Sequence, residues 1–251
     1  MNETKLKRLL SDYEIHCFET IDSTNTYAKK LAKQGCAEKT VVFANSQTSG
    51  RGRLGKTFYS PENSGIYLSI IIRPNILVKD VSLITPATAV AVSNVLIDFV
   101  KADVKIKWVN DIFLNGKKIC GILTESVMGK NRPEYVVVGI GINVNPSQNG
   151  FPDEIKNIAG TLFEKSSEVD IETLSAKIVM SVVKEIEKLP DTSFSKTYRD
   201  RCFILGQEIE LSTGEKATAI TTDDRCQLCV RMSDGSTKTL SSGDISIKVK
   251  E

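Results

Sequence analysis

Gly-Arg-Gly-Arg-Leu-Gly-Lys-Thr (GRGRLGKT), residues 50–57, satisfies two phosphate-binding patterns at once. Gly50, Gly52 and Gly55 fit G-x-G-x-x-G, the dinucleotide fingerprint; Gly50, Gly55, Lys56 and Thr57 fit G-x-x-x-x-G-K-[ST], the P-loop. Both patterns work only where a strand precedes and a helix follows directly, so that the helix N-terminus meets the phosphates. Here the string follows Asn45-Ser46-Gln47-Thr48-Ser49 and runs into Phe58-Tyr59-Ser60-Pro61-Glu62-Asn63-Ser64-Gly65, which starts no helix. About twenty residues on, where a dinucleotide fold places a ribose-binding acid, only Asp80 stands, in a polar stretch. The context disfavours a P-loop NTPase and disfavours a doubly wound dinucleotide fold still more.

The chemistry of the loop nevertheless suits an anion. Its glycines let backbone N–H groups approach one closely. Arg51, Arg53 and Lys56 add three positive charges with no acid among them. A guanidinium binds phosphate or carboxylate through two parallel hydrogen bonds. Taken alone, the segment reads equally well as a solvated basic surface loop, so the flanking chain decides.

Upstream, residues 14–20 (EIHCFET) read as a strand. A helix follows, with Asp22 or Ser23 as N-cap, Tyr27 and Leu31 on one face, and Gly35 at its end. TVVFANS (40–46) is a buried strand by its β-branched content, and residues 47–65 are a long irregular segment of the kind that carries function. Downstream come a strand at 65–73 and an apolar helix over about 83–101, with Pro86 tolerated in its first turn. Strands at 104–108, 112–114, 118–126 and 135–145 follow, with Asn115-Gly116 as a hairpin turn. Residues 171–188 form an amphipathic helix capped by Asp170, with Leu174, Ile178, Val182 and Ile186 at helical spacing. After Tyr198 the texture changes to short alternating strands (QEIEL, KATAIT, QLCVRM, STKTL, ISIKV), predicting a small β-barrel domain that begins near 199–203.

The composition is that of an ordinary soluble globular protein, 41% hydrophobic and 25% charged over 251 residues, with a net charge of +2. That balance does not mark a nucleic-acid binder. No eighteen apolar residues run together and the N-terminus reads as no signal peptide, so no membrane partner is expected and the expected location is the cytoplasm. Cys226 and Cys229 make the one C-x-x-C pair, and with a single histidine, His16, no metal site is expected. His16, in a strand with no evident partner, reads as structural.

Four segments, in this order, resemble the catalytic domain of biotin–protein ligases: Asp22-Ser23-Thr24-Asn25, GRGRLG (50–55) with Gln47 just upstream, KWVND (107–111) and KKICGIL (117–123). GIGINVN (139–145) and the terminal β-module fit as well, so the resemblance covers nearly the whole chain. Two positions depart from it: Val109 stands where the family usually has proline, and Phe58-Tyr59 where its aromatic pair usually contains tryptophan. The resemblance implies an α+β fold, a mixed β-sheet with flanking helices of class II synthetase type over residues 1–200. A small C-terminal SH3-like β-barrel would occupy 201–251. It further implies ATP and Mg²⁺ with biotin as substrate, adenylation of the biotin carboxylate, and transfer to a lysine of a biotin carboxyl carrier protein or domain. A lipoate or octanoate ligase of related fold is the sister alternative.

Site roles carry over residue by residue as what the resemblance implies. Ser23, Thr24, Asn25 and Gln47 would meet the biotin head, whose ureido ring needs both donors and acceptors. Arg51, Gly52 and Arg53 would cover biotin and the adenylate phosphate, and Lys118 would reach the reacting carboxylate and phosphate. Trp108, Gly121, Ile122 and strand 135–142 would wall the valeryl chain. Phe58 would stack on adenine or anchor its loop. Asn110 would help hold the Mg²⁺–triphosphate. Asp111 would orient the ion or the acceptor amine, or cap a turn. Asn143 would face the nucleotide or satisfy backbone groups. A homodimer through sheet edges is compatible with the resemblance. With only 21 residues before Asp22, no DNA-binding helix-turn-helix and no operator repression are expected.

Overall fold

Strands β1 (Glu14–Ile21), β2 (Thr40–Gln47), β3 (Gly65–Ile72), β4 (Lys105–Lys107), β5 (Asp111–Leu114), β6 (Lys117–Met128) and β7 (Pro133–Asn143) form one sheet in the order β1-β2-β3-β7-β6-β5-β4. The structure is a computed structural model that describes residues 1–243 and 245–247. β1 and β2 run parallel, joined by helix α2 (Thr24–Lys33), and every other neighbouring pair is antiparallel. Such a mixed sheet follows from the loop lengths: hairpins need only a short turn, whereas a parallel pair needs a crossover. Asn115 and Gly116 both take positive φ, 50° and 73°, and close the β5–β6 hairpin as their type I′ preference dictates.

The central strands split their two faces by residue size. On β7, Val136, Val138, Ile140 and Ile142 point to one side, and β3 adds Ile66, Leu68, Ile70 and Ile72 there. Helices α3 (Ile84–Val100) and α4 (Ile171–Ile186) cover this side, and Ala91, Val92, Ile178 and Val182 complete the core. Pro86 lies buried in the first turn of α3, where it removes no helical hydrogen bond. With the 3₁₀ turn Val78–Leu83 before it, α3 is long and apolar enough to cross a bilayer by length and composition, but most of that stretch is buried within the protein. On the opposite side, α2 covers only part of the sheet, packing Ala28 and Ala32 on Val42, Ile71 and Val137. The remainder of that side carries Ser69, Gly121, Gly139 and Gly141 among larger residues such as Tyr67 and Glu125.

Two short helices escaped the sequence reading. Helix α1 (Glu3–Leu9) is capped by Asn2, buries Leu6 and ties to α4 through Lys5 and Asp170, 2.5 Å apart. Helix α5 (Ser195–Arg201) buries Tyr198, whose hydroxyl donates to the Val109 carbonyl at 3.1 Å. Seven residues give too few periods to register as amphipathic. The domain start expected at 201 falls at the end of α5, and the chain stays on the first sheet a little longer, because Cys202 pairs beside Ile106 and Phe203 N–H donates to the Ile106 carbonyl.

The C-terminal strands β8 (Glu208–Leu211), β9 (Lys216–Thr222), β10 (Leu228–Met232), β11 (Thr237–Leu240) and β12 (Ile245–Ile247) form a second, antiparallel sheet, β11-β10-β9-β8-β12. The last two residues of the strand expected at ISIKV lie outside the described residues. Several contacts tie this module to the larger domain. Trp108 Nε1 donates to the Cys226 carbonyl at 2.9 Å, Arg199 Nε donates to the Thr222 carbonyl at 2.6 Å, and Arg225 pairs with the buried carboxylate of Asp80 at 3.0 Å.

Trp108 corrects an expectation: it is 3% exposed in the seam between the two sheets and does not line the cavity described below. Its indole N–H needs an acceptor once buried, and the positive-φ turn at Cys226 presents one. Trp108→Phe, which keeps the packing and removes that bond, is expected to lower stability by about 1 kcal/mol in urea titration. Unchanged stability with weakened ligand binding would return Trp108 to the cavity wall.

Candidate active site

The open part of the α2 side is floored by backbone. Facing it are Gly139 and Gly141 of β7, which alternate with the core residues Ile140 and Ile142, and Gly121 of β6, paired directly with Gly141. A Cβ at Gly139 would overlap Asn25 Oδ1, and one at Gly141 would come within 2.5 Å of the Phe58 ring. The glycines therefore make room for side chains laid across the sheet and for a cavity of about 360 Å³.

One end of the cavity is lined by neutral polar groups from the start of α2. Ser23 caps the helix, its hydroxyl accepting from Thr26 N–H, and so places Thr24 and Asn25 at the first turn, each 4% exposed. Gln47 Oε1 accepts from the Thr24 backbone N–H at 2.9 Å and from its hydroxyl at 3.2 Å, while Gln47 Nε2 donates to Ser60 Oγ at 2.8 Å. Ser69, the polar interruption in the apolar β3, sits 2.9 Å from Thr24 Oγ1 and 2.6 Å from Asn25 Oδ1. Asn25 Nδ2 donates to Glu125 Oε2 at 3.0 Å. Burial alone would raise the pKa of Glu125, but hydrogen bonds from Lys29 and Asn25 and the charges of Lys29 and Arg51 outweigh it and hold the carboxyl below its ordinary value.

The other end is charged. Lys118 Nζ lies 2.7 Å from Asp111 Oδ1, across the β5–β6 hairpin. Arg53 donates to Asn110 Oδ1 at 3.1 Å, and Asn110 is fixed in turn by donating Nδ2 to the Ile122 carbonyl. Lys118 and Leu123 are separated by five residues of one strand, roughly 15 Å at the usual rise. Leu123 stands opposite Gly139, under Asn25. The cavity thus joins a neutral hydrogen-bonding end to a cationic end across an apolar, glycine-floored span.

Residues 47–60 are less irregular than their composition suggests. Gln47 pairs with Ser60 and Arg51 with Thr57, so the glycine loop folds back as a finger over the cavity with an exposed tip at Leu54. No helix follows it, which removes the P-loop and dinucleotide readings on geometry. Phe58 lies on Gly121 and Gly141 and contacts Tyr67 edge-on, with ring centroids 6.4 Å apart. Gly52 donates its N–H to the Lys56 carbonyl at 2.7 Å. Arg51 and Arg53 diverge: Arg53 turns to the Lys118 end, whereas Arg51 pairs with Glu125 at 3.0 Å, at the neutral end. Of the three residues expected to cover biotin and the adenylate phosphate, Arg51 stands at the neutral end and Arg53 at the charged one.

Asn143 lines the cavity and donates Nδ2 to the Gly160 carbonyl at 3.0 Å, holding the segment after β7 beside Lys118. That segment brings Phe151, Ile155 and Ile158 to the cavity, and the C-terminal module brings Ile245. Sequence reasoning named none of these, nor Ser69, Lys29 and Glu125. The available signals were a serine within IYLSIII and the strict alternation of glycine and isoleucine in GIGIN. Cys226 and Cys229 lie outside the cavity lining, and the described residues contain no cluster of three metal-binding side chains.

The model of the biotin/lipoate A/B protein ligase family matches residues 17–143, and that of the biotin protein ligase C terminal domain matches 204–248. The bifunctional ligase/repressor BirA of Bacillus subtilis is 41% identical over 150 residues, 60% of this chain and 46% of that protein. The biotin--[acetyl-CoA-carboxylase] ligase of Mycobacterium tuberculosis is 27% identical over 235 residues, 89% of this chain and 85% of that protein. Among solved structures, the biotin protein ligase from Aquifex aeolicus in complex with biotin and ATP has a TM-score of 0.77 at 26% identity, over 94% of this chain and 99% of that one. The chain thus spans about half the length of the Bacillus relatives it matches. The first family model spans half the sequence, including the glycine loop, Lys118 and the floor of the cavity, and on that ground the chain belongs to the biotin/lipoate A/B protein ligase family.

Proposed function

We propose that this chain is a biotin–protein ligase, which uses ATP to convert biotin to biotinyl-5′-AMP and passes the biotinyl group to a lysine of a biotin carboxyl carrier protein or domain. One observation carries the reading: a single elongated cavity has a neutral hydrogen-bonding end at Thr24, Asn25 and Gln47, an apolar middle, and a cationic end at Lys118 and Arg53. Biotin has the matching order of groups, a ureido head, an aliphatic chain and a carboxylate. The relatives supply support of their own, since the similar Aquifex aeolicus ligase is described with biotin and ATP.

The chemistry asks the protein mainly for positioning and charge neutralisation. A carboxylate oxygen of biotin attacks the α-phosphorus of ATP, and pyrophosphate leaves. Both reactants are anions, so Lys118 and Arg53 lower the barrier by neutralising charge where it accumulates. An acceptor lysine amine then attacks the acyl carbon, AMP leaves, and the amine gives up a proton. Asp111, 2.7 Å from Lys118 Nζ, is the carboxylate placed to orient that amine.

A Mg²⁺ ion would shield the triphosphate. The protein offers the Asp111 carboxylate and the Asn110 amide there, oxygen ligands of the kind such an ion takes. The finger at 50–57 and the segment bearing Phe151 and Ile158 flank the cavity and would keep water from the mixed anhydride.

ATP–pyrophosphate exchange measured with biotin, lipoate and octanoate separates this reading from its sister. Exchange with biotin alone is expected; exchange with lipoate or octanoate would move the chain to that branch of the family. Lys118→Ala is expected to slow adenylate formation by about a hundredfold to a thousandfold while biotin binding changes little, because its interaction grows as charge develops. Equal losses in both would make it only a binding residue. Arg53→Ala is expected to speed release of the adenylate in a filter-retention chase, and unchanged release would remove Arg53 from the phosphate end.

A further inference from the structure

Glu125 stands on β6 two residues beyond Leu123, on the same face as the cavity floor, with its side chain 22% exposed. It gathers three donors from three parts of the fold. Asn25 Nδ2 comes from the first turn of α2 at 3.0 Å, Lys29 Nζ from the next turn at 2.8 Å, and Arg51 Nη1 from the glycine finger at 3.0 Å. An ionised carboxylate only accepts, so this arrangement forces the Asn25 amide to turn its nitrogen toward Glu125 and its oxygen toward Ser69.

The position of Arg51 is informative because of what it is far from. Lys118, at the reacting end, lies seven residues back along the strand from Glu125, a separation of roughly 20 Å. The Arg51 guanidinium therefore bridges the finger to the sheet over the neutral end, where a ligand's head would lie, and it is not at the phosphate end. Lys29 makes this bridge reversible. If Arg51 lets go, Glu125 keeps Lys29 and Asn25 and is never a half-buried carboxylate without a counter-ion.

We propose that Glu125, paired with Lys29, is a positioning residue: with Arg51 it forms a clasp that fastens the glycine finger over the head group of the bound acid, and it fixes the Asn25 amide beneath that group. The clasp governs how long the ligand stays and not how fast its carboxylate reacts. Arg51 then differs in role from Arg53, although the two sit two residues apart in one motif. The inference rests on the biotin reading of the site.

The test is a double-mutant cycle of Arg51→Ala and Glu125→Gln, read as the rate of release of labelled biotin into excess unlabelled biotin, together with adenylate formation at saturating biotin. Each single variant is expected to release biotin about tenfold faster, as for loss of one partner in a part-buried ion pair. The double variant should be no faster than the faster single one, because a clasp acts once, and the loss in retention should exceed any fall in the rate of adenylate formation at saturating biotin. Additive effects on release, unchanged release in both single variants, or an equal fall in the saturated rate would each overturn the clasp. Arg51, 41% exposed on the finger, can be replaced without touching the core, so a folding defect in Glu125→Gln would leave a decisive measurement. Failure of the unaltered protein to bind biotin would instead overturn the functional reading itself.

Discussion

The site depends on which face of β3, β7 and β6 carries bulk. Period-two alternation sends most of the isoleucines and valines of these strands to the side covered by α3 and α4, and leaves Ser69, Gly139, Gly141 and Gly121 on the other, beyond the Ile71 and Val137 that α2 covers. Glycine in a strand interior costs about 0.5–1 kcal/mol relative to alanine. Each buried aliphatic side chain on the far face contributes roughly 1.5–3 kcal/mol, so the packed face carries the open one with a wide margin. Because a one-residue slip would exchange the two faces, the same hydrophobic pattern that fixes the register also fixes the cavity floor.

The polar groups around that floor satisfy one another. Gln47 bridges Thr24 and Ser60, Ser69 meets Thr24 and Asn25, Lys118 pairs with Asp111, and Arg53 is held by Asn110. A ligand must therefore exchange partner for partner, and one that fails to return a hydrogen bond leaves a buried group unpaired. That penalty rejects a wrong molecule far more strongly than a loose apolar contact does. The neutral end, where these exchanges are most numerous, is thus the more selective part of the cavity.

Much of this was legible in the chain because it is local. The Asn115-Gly116 hairpin, the Ser23 cap that delivers Thr24 and Asn25, Pro86 in the first turn of α3 and the Asp170 cap of α4 are each dictated by residues a few positions apart. The misplaced or missing parts are those decided by distant contacts. Glu125 carries no motif, and its meaning comes from three donors 74 to 100 residues away in sequence. Arg51 and Arg53 look equivalent in GRGR, yet the folded-back finger sends them to opposite ends of the cavity. Trp108, the single tryptophan, reads as a ligand wall from its motif, but its buried indole N–H found an acceptor in the other sheet.

The position of Trp108 in the seam bears on why the cavity is attached to a separate β-module. From 108 to 111 the chain serves three masters in four residues. Trp108 bonds the module at Cys226, Val109 accepts from Tyr198 of α5, and Asn110 and Asp111 face the cavity. There is no flexible linker between the seam and the charged end of the site. A second tie, Arg225 to buried Asp80, fixes the module near the start of α3, and Ile245 of β12 completes the cavity wall. Independent swinging of the module would break the buried Trp108 hydrogen bond, at a cost of about 1–3 kcal/mol, along with its other ties. The module is a structural wall of the site, holding Asn110 and Asp111 at the depth where Arg53 and Lys118 meet them.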